Sequence, residues 1–432
     1  MNRCIFTICA KNYIGLALVL EKSIRTFNNE CDFYVIVADE LDEIHLSDLP
    51  GNVLVAKDIL KSYITDHKWE EMAFKYNLTE FCTAIKPFSF QYIFSQQGYD
   101  KAIYLDPDIL TFSSFDSVFD QLDEANIILT PHITTYKQEY AGHRSEKGLM
   151  STGVFNLGFL ALKNSGAAMS MLSWWGARLK DQCYMDPLDS YFTDQKWIDF
   201  LPCFFGSDDL FVSKNLGLNV APWNFFEREL YFSDGHWMVK PRGDVDTTTH
   251  HRLIFVHFSG YNYKGLIDGV LEQNNISNLD SYIDIDHICH VYADFLTKQI
   301  NTFNKYIDYS YTYATFDDGS KITSFQRRLF RGWIEVGEHV EFPFSTETGT
   351  FYQKLKKKGL LNKSSTVGLD SLNKNNMSTA SKKLKIVNIL TKLVFKLLGL
   401  KNYILILRLM RPYSRVENQL HLIDKKYSNL LK

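Results

Sequence analysis

The chain has 432 residues, of which 45% are hydrophobic and 15% aromatic, so it can bury the core of one large domain or of two to three smaller ones. The net charge is −3, but residues 351–432 hold 18 lysines and arginines against three acids, whereas the first 350 residues hold 29 against 47. This balance argues against nucleic acid as a partner, and seven scattered cysteines without a CxxC pair argue against a disulfide framework or a zinc site and for a reducing compartment.

The first two thirds of the chain alternate between strand-like and helix-like segments. In "MNRCIFTICAKNYIGLALVL", Lys11 and Asn12 interrupt the apolar run and no cleavage site follows, so we predict a strand, a turn and a helix from about Leu16 rather than a signal peptide. Later strands are predicted in "DFYVIVAD", "KAIYLDPD", "ANIILTP", "GVFNLGFLAL" (153–162) and "RLIFVHFSG" (252–260), and helices from about Thr79 and over 167–179. The alternation predicts an α/β fold with a mostly parallel central sheet, in which ligands bind at the carboxyl ends of strands.

The last third of the chain changes character. Residues 266–350 are predicted to be a helical, aromatic extension, 351–381 a basic and flexible linker, and 382–432 a basic helical tail. The polar positions of the tail fall three or four residues apart and form one stripe of a helix, namely Lys385, Asn388, Lys392, Lys396 and Gly399. We favour an anionic membrane surface as the partner of this helix because it opposes the body in charge, and packing on the body or on another subunit is the alternative.

A pair of carboxylates, Asp106 and Asp108, follows the predicted strand "KAIYL". Carboxylates this close repel each other unless a positive charge lies between them, and hard cations such as Mn²⁺ or Mg²⁺ take such oxygen ligands. A solvated loop that happens to carry two acids is the alternative. A hard cation with few protein ligands typically bridges a substrate diphosphate, as a transferase of nucleotide-activated sugars requires.

Together with "ICAKNYIGLALVLEKSI", "TEFCTAIKPF", "VFNLGFLAL", "FTDQKWIDFLP" and "FVHFSGYNYKG", this motif makes residues 3–345 resemble a GT-A-fold glycosyltransferase of the family 8 type. That group includes glycogenin and bacterial lipooligosaccharide galactosyltransferases, and the resemblance is closer still to bacterial surface-polysaccharide glycosyltransferases. It implies a Rossmann-like catalytic domain over 1–265, with 266–350 on the acceptor side. It also implies a metal-dependent, retaining transfer of a hexose from a UDP-sugar to a glycan or lipid-linked acceptor. The basic tail would hold the enzyme at the inner face of the cytoplasmic membrane.

The resemblance also assigns site residues. The metal ligands would be Asp106, Asp108 and His257, and the residues near the reacting carbon would be Asn156, Asp194 and Gln195. Substrate contacts are expected from Ala10, Asn12, Tyr13, Lys86, Gly158, Gly260 and Lys264, with Trp223, in an exposed turn, as an aromatic wall for a sugar ring. In the HxxGxxK element, His257 and Gly260 keep their spacing, but Lys264 comes one residue late.

Each of these residues also has a purely structural interpretation. Lys86 could be a solvated helix lysine, Asn156 a buried amide, Asp194 a helix N-cap, His257 a structural histidine and Trp223 a core residue. For the whole chain, the alternatives are a catalytically inactive GT-A-like scaffold at a membrane and a haloacid-dehalogenase-type phosphatase. The phosphatase is disfavoured because its paired aspartates follow the first strand of the domain, whereas here at least two βα units come first.

Overall fold

A computed structural model describes residues 1–42, 44–136, 139–243, 249–274, 279–361 and 380–428. The chain divides into two compact units, with Met1–Thr65 and Leu78–Thr312 in unit 1 and Asp66–Asn77 and Tyr313–Lys432 in unit 2. Unit 1 therefore extends beyond residue 265, where the catalytic domain is predicted from the sequence to end, and that functional boundary stays a prediction.

Unit 1 contains every strand of the described residues. In chain order these are β1 Arg3–Cys9, β2 Asp32–Val37, β3 Val53–Val55, β4 Lys101–Leu105, β5 Ile109–Thr111, β6 Ile127–Leu129, β7 Phe159–Lys163, β8 Met185–Asp186, β9 Tyr191–Phe192, β10 Leu210–Val212, β11 Arg228–Ser233, β12 His236–Pro241, β13 His251–Arg252 and β14 Phe255–His257. Seven of them form the central sheet in the order β10-β6-β7-β4-β1-β2-β3. Only β7 runs antiparallel to its neighbours, β4 and β6, so the predicted α/β class with a mostly parallel sheet is confirmed.

The helices, in chain order, are α1 Ile14–Arg25, α2 Ala56–Ile59, α3 Asp66–Lys75, α4 Leu78–Ala84, α5 Lys86–Ser95, α6 Asp116–Glu124, α7 Glu146–Thr152, α8 Gly166–Gln182, α9 Gln195–Ile198, α10 Leu201–Phe204, α11 Tyr263–Ile267, α12 Ile283–Lys298, α13 Ile300–Asn304, α14 Ser324–Glu335, α15 Phe351–Lys357 and α16 Ala380–Tyr413. All but α3 and α14 to α16 belong to unit 1. Strand β4 is buried along its whole length, as expected of a strand at the centre of a sheet that is covered on both faces.

Two predicted strands are shorter in the structure than in the sequence pattern. The predicted strand 153–162 begins only at Phe159, because residues 153–158 form a loop in which the Asn156 side chain accepts a hydrogen bond from the Gly158 backbone. The predicted strand 252–260 is divided into β13 and β14, and β14 pairs with β5. In that ladder His257 lies opposite Ile109, and the Phe258 backbone donates to the Asp108 carbonyl at 2.8 Å. This pairing brings the end of the late strand to the paired aspartates.

Unit 2 has an aromatic core. Phe74 of α3 contacts Phe330 of α14 and Phe351 of α15, with ring centroids 4.5 and 5.9 Å apart. The buried guanidinium of Arg327 donates to the carbonyls of Ala73, Phe74 and Tyr76, which satisfies carbonyls at the end of α3 that have no partner within the helix.

The predicted linker begins too early. Residues 351–357 form α15, with Phe351, Tyr352 and Leu355 buried in the core of unit 2, because they offer apolar groups at helical spacing. Residues 362–379 of the predicted linker lie outside the described residues.

The predicted basic helix is present as α16, but it is interrupted at Gly399, whose φ of 70° and ψ of 170° are not helical. After α16 the chain returns to the core of unit 2. Leu420, Ile423 and Tyr427 are buried there, and Glu417 lies 3.1 Å from Arg331. The C-terminal part of the predicted tail is therefore a packed segment.

Candidate functional site

Asp106, Asp108 and His257 meet at the carboxyl ends of β4 and β14. Their ligand atoms all lie within 4.8 Å of one another. The Nε2 atom of His257 is 3.1 Å from Asp108 Oδ1 and 3.6 Å from Asp106 Oδ2. The imidazole is buried, whereas 31% and 18% of the two carboxylate side chains remain exposed. Two carboxylate oxygens and an imidazole nitrogen at this spacing fit Mn²⁺ or Mg²⁺, with the open side left for substrate oxygens.

The charges of the three groups depend on one another. Burial raises the pKa of Asp106, and the nearby charges of Lys86 and His257 only partly oppose it. Burial would also raise the pKa of Asp108, but the charge and hydrogen bond of His257 outweigh it, and the pKa is lowered. Burial disfavours the imidazolium of His257, yet the same Asp108 carboxylate raises the pKa of His257 above its usual value. A positive charge between these carboxylates is therefore favourable.

Lys86 and Asp194 form a buried ion pair beside the cluster. The ammonium of Lys86 lies 2.6 Å from Asp194 Oδ2, donates to the Leu157 carbonyl at 2.8 Å and sits 4.2 Å from the centre of the Tyr104 ring. The Tyr104 hydroxyl in turn donates to Asp106 at 2.6 Å. Lys86 is thus not a solvated lysine. Asp194 occupies the N-cap position of α9 but makes no side-chain cap, since its carboxylate faces Lys86.

Asn156, in the loop before β7, and Gln195, at the start of α9, are each held by hydrogen bonds. The Asn156 carbonyl oxygen accepts from the Gly158 backbone and from Asn219, and Gln195 donates to the Thr152 carbonyl at 2.7 Å. The structure explains the glycine at position 158 differently from the prediction, which was the close approach of a ligand. A Cβ atom at Gly158 would lie 2.3 Å from Cε1 of His257, so glycine is needed to leave space for the imidazole.

Trp223 was expected in an exposed turn, and that expectation is wrong. Its side chain is buried because it packs edge-on between the rings of His132 and His257, each with its centroid 5.3 Å away. The indole Nε1 of Trp223 and the Nδ1 atom of His132 are buried without a hydrogen-bond partner among the described residues. Trp223 is therefore a core residue that packs against the imidazole of His257.

The predicted nucleotide contacts follow β1. Ala10 is buried at the end of the strand, Tyr13 is partly exposed, and the buried Oδ1 atom of Asn12 has no hydrogen-bond partner among the described residues. Lys11, which was not predicted, is buried and donates to the Glu40 carbonyl at 3.1 Å and to Thr312 at 2.7 Å. Asp39, which follows β2, was not among the predicted site residues either. Its position could have suggested it, because ligand-binding residues follow the carboxyl ends of parallel strands.

The structure does not bring Lys264 to the carboxylates. Its side chain is 60% exposed and its ammonium lies 3.4 Å from Asp308. Gly260 adopts a φ of 79° in the turn after His257. Tyr263, the residue before Lys264, places its hydroxyl 3.1 Å from Asp108 Oδ2. Sequence reasoning missed Tyr263, although it stands three residues after Gly260, at the spacing that the resembled motif gives to a lysine.

Residues 4–166 match the family described as Glycosyl transferase family 8. Among curated proteins, "Uncharacterized protein YfnF" of Bacillus subtilis (strain 168) is 22% identical over 273 residues, which cover 60% of this chain and 82% of that protein.

Several solved glycosyltransferase structures are similar to the chain. A galactosyltransferase, LgtC, in complex with donor and acceptor sugar analogs has 18% identity and a TM-score of 0.34, over 60% of this chain and 87% of that one. GlyE of Streptococcus pneumoniae TIGR4 has 13% identity and a TM-score of 0.35, over 73% and 66%. Mouse xyloside xylosyltransferase 1 has 13% identity and a TM-score of 0.34, over 60% and 98%. Scores this low place no residue of the site.

The family match agrees with the resemblance drawn from the motifs, and the observed sheet is seven-stranded and mostly parallel, as predicted. Residues 4–166 of this chain are therefore a region of the glycosyltransferase family 8 type.

Proposed function

We propose that the protein transfers a hexose from a nucleotide-sugar, UDP-linked in the resembled family, to a glycan or lipid-linked surface-polysaccharide acceptor. The observation that carries the proposal is the convergence of Asp106, Asp108 and His257 within 4.8 Å at one end of the sheet. When bound there, Mn²⁺ or Mg²⁺ supplies positive charge to the diphosphate as it leaves. Because all these ligands are in place, the inactive-scaffold alternative is disfavoured.

The residues around the cluster suggest a division of roles. Ala10, Asn12 and Tyr13 would contact the nucleotide, and the Lys86 ammonium would hold the Asp194 carboxylate in a fixed position beside the sugar. Asn156 and Gln195 would orient the donor sugar while the acceptor hydroxyl attacks the anomeric carbon. Retention of configuration is the outcome that the resemblance implies.

The test is hydrolysis of nucleotide-sugars without acceptor, screened with Mn²⁺, with Mg²⁺ and with a chelator. Asp108→Asn should reduce metal-dependent turnover by a factor of about 100 or more, because one charged ligand is lost, while the folded state persists. Asp120→Asn, the same change at an exposed position of α6, is the matched control. Turnover in Asp108→Asn equal to that of the control would refute the metal role, and hydrolysis of phosphomonoesters instead of nucleotide-sugars would favour a phosphatase.

We further propose that α16 binds an anionic membrane surface and so holds the enzyme at the inner face of the cytoplasmic membrane. The segment 382–415 carries nine bases and no acid. The large apolar side chains of α16 that lie exposed are Leu384, Ile386, Val387, Ile389, Leu390, Leu393, Phe395, Leu397, Leu398, Leu400, Ile404, Leu405, Leu407, Leu409, Met410 and Tyr413. Burying such a surface among lipid headgroups while the lysines meet anionic lipids stabilises binding.

The geometry of the helix fits a surface position. Among the described residues, no helix combines the length and apolarity needed to cross a bilayer. The chain after α16 is anchored in unit 2 through Leu420 and Tyr427, so α16 is attached on its C-terminal side to a folded core. Deleting the whole tail would therefore remove core residues as well, and substitutions within α16 make the cleaner test.

The variant carries Lys385→Glu, Lys392→Glu and Lys396→Glu, and the control carries the same charge change at Lys356, Lys357 and Lys358, which are exposed at the end of α15. At roughly 1 kcal/mol for each lysine, the first variant should lose binding to vesicles with anionic lipid by about a hundredfold, while the control binds nearly as the native protein. Equal losses in both would show unspecific charge attraction. A native protein that binds no vesicle but forms dimers would assign the helix to a second copy instead.

A further inference from the structure

Two tyrosine hydroxyls near Asp108 are not explained by metal binding. Tyr263, at the start of α11, has its hydroxyl 3.1 Å from Asp108 Oδ2 and 3.1 Å from the Phe258 carbonyl. A hydroxyl has one proton, so it can donate to only one of these oxygens at a time. Tyr292, on α12, has a buried hydroxyl with no hydrogen-bond partner among the described residues.

The ring of Tyr292 is held in place by its neighbours. It stacks on Phe258, with centroids 4.1 Å apart and planes at 21°, and meets the ring of Tyr263 edge-on at 6.3 Å. A buried hydroxyl without a partner destabilises the folded protein, so such groups are usually paired or reserved for a ligand. Burial, and after it the negative charge of Asp108, raises the pKa of Tyr292, which keeps this hydroxyl protonated and able to donate.

The nearby basic residues are already engaged. Lys86 pairs with Asp194, and Lys264 pairs with exposed Asp308. In the HxxGxxK element that "FVHFSGYNYKG" resembles, the position three residues after the glycine belongs to a lysine, and here that position is Tyr263. A neutral donor, Tyr263, thus stands where the resembled motif has a cation, and Tyr292 lies against its ring.

We propose that the hydroxyls of Tyr263 and Tyr292 donate hydrogen bonds to the diphosphate of the nucleotide donor, in place of that lysine. This inference rests on the proposed function. It assigns to α12, beyond the residues that match the family, a part in binding the donor.

The experiment measures the binding of UDP in the presence of Mn²⁺, and of Mn²⁺ alone, by calorimetry on the full chain. Tyr292→Phe should weaken UDP binding by about tenfold or more, because a hydrogen bond to a charged group is lost. Its affinity for Mn²⁺ alone should not change. The melting temperature should stay the same or rise, because the substitution removes an unpaired buried hydroxyl. Tyr263→Phe should also weaken UDP binding.

Tyr261→Phe is the matched control, since this buried tyrosine has its hydroxyl 3.5 Å from the Cys289 sulfur and not at a carboxylate. Native UDP affinity in Tyr292→Phe would overturn the inference, as would an equal loss in Tyr261→Phe or a parallel loss of Mn²⁺ affinity. A native protein that binds Mn²⁺ but no nucleoside diphosphate would contradict the proposed function itself, and the two failures are thus distinguishable.

Discussion

The cluster of Asp106, Asp108 and His257 in unit 1 and helix α16 in unit 2 differ in how far their charged groups are exposed to water. In the cluster, two carboxylates, an imidazole and the neighbouring Lys86–Asp194 pair lie within a few ångströms of one another and are largely removed from water. In α16, the lysines and the apolar side chains alike point into solvent. Removing one charge from the first region leaves its partner uncompensated, whereas removing one from the second leaves the fold intact.

The largest loss of stability is expected when the buried ammonium of Lys86 is removed. Lys86→Met leaves the Asp194 carboxylate buried and unpaired, and we expect the free energy of unfolding to fall by about 3–5 kcal/mol in denaturant titration. Lys264→Met, the same substitution in an exposed pair, should lower it by less than about 1 kcal/mol. The double variant Lys86→Met/Asp194→Asn should recover most of the loss. A double variant as unstable as Lys86→Met alone would show that the charge of Asp194 is not the cause.

A second change tests how closely the backbone must approach the imidazole. Gly158→Ala forces a methyl group against His257, and we expect the Mn²⁺ affinity to fall roughly ten- to a hundredfold as the imidazole is displaced. Gly166→Ala, at the start of α8, meets no atom within 4 Å and is the control. Direct titration of Mn²⁺ measures both, and equal affinities would contradict the assignment of His257 as a ligand.

A substitution within α16 should have the smallest effect. At Gly399, φ is 70° and ψ 170°, a conformation in which alanine is strained, so Gly399→Ala should favour a continuous helix by about 1 kcal/mol. Hydrogen exchange of the amides around residue 399 should then slow by roughly fivefold. Unchanged exchange would show that the break in α16 does not depend on glycine.

Much of the site could be predicted from local sequence. Three patterns can be interpreted from short stretches of sequence alone. They are the paired aspartates after an apolar run, the histidine at the end of a late strand, and the basic helix without acids. The helices from about Thr79 and over 167–179 were also predicted from local patterns, and they are present as α4 with α5 and as α8.

The remaining features depend on residues that are distant in the chain. The structure places Trp223 between two histidines, Gly158 against an imidazole, and Tyr292 against Phe258, just after β14, and Tyr263 of α11. No local sequence pattern predicts such neighbours. Similarly, the last part of the basic tail returns to an aromatic core formed by Phe74, Trp333 and Phe351.

The class of fold, the residue types of the Asp106–Asp108–His257 cluster and the charge of the tail could thus be predicted, because each follows from short-range spacing and composition. Only the tertiary structure decided which side chains lose their contact with water and which partners they then find. Burial and pairing are properties of residues brought together by strand order and helix packing, and here Asp108 and Tyr263, whose side chains meet, lie 155 residues apart along the chain.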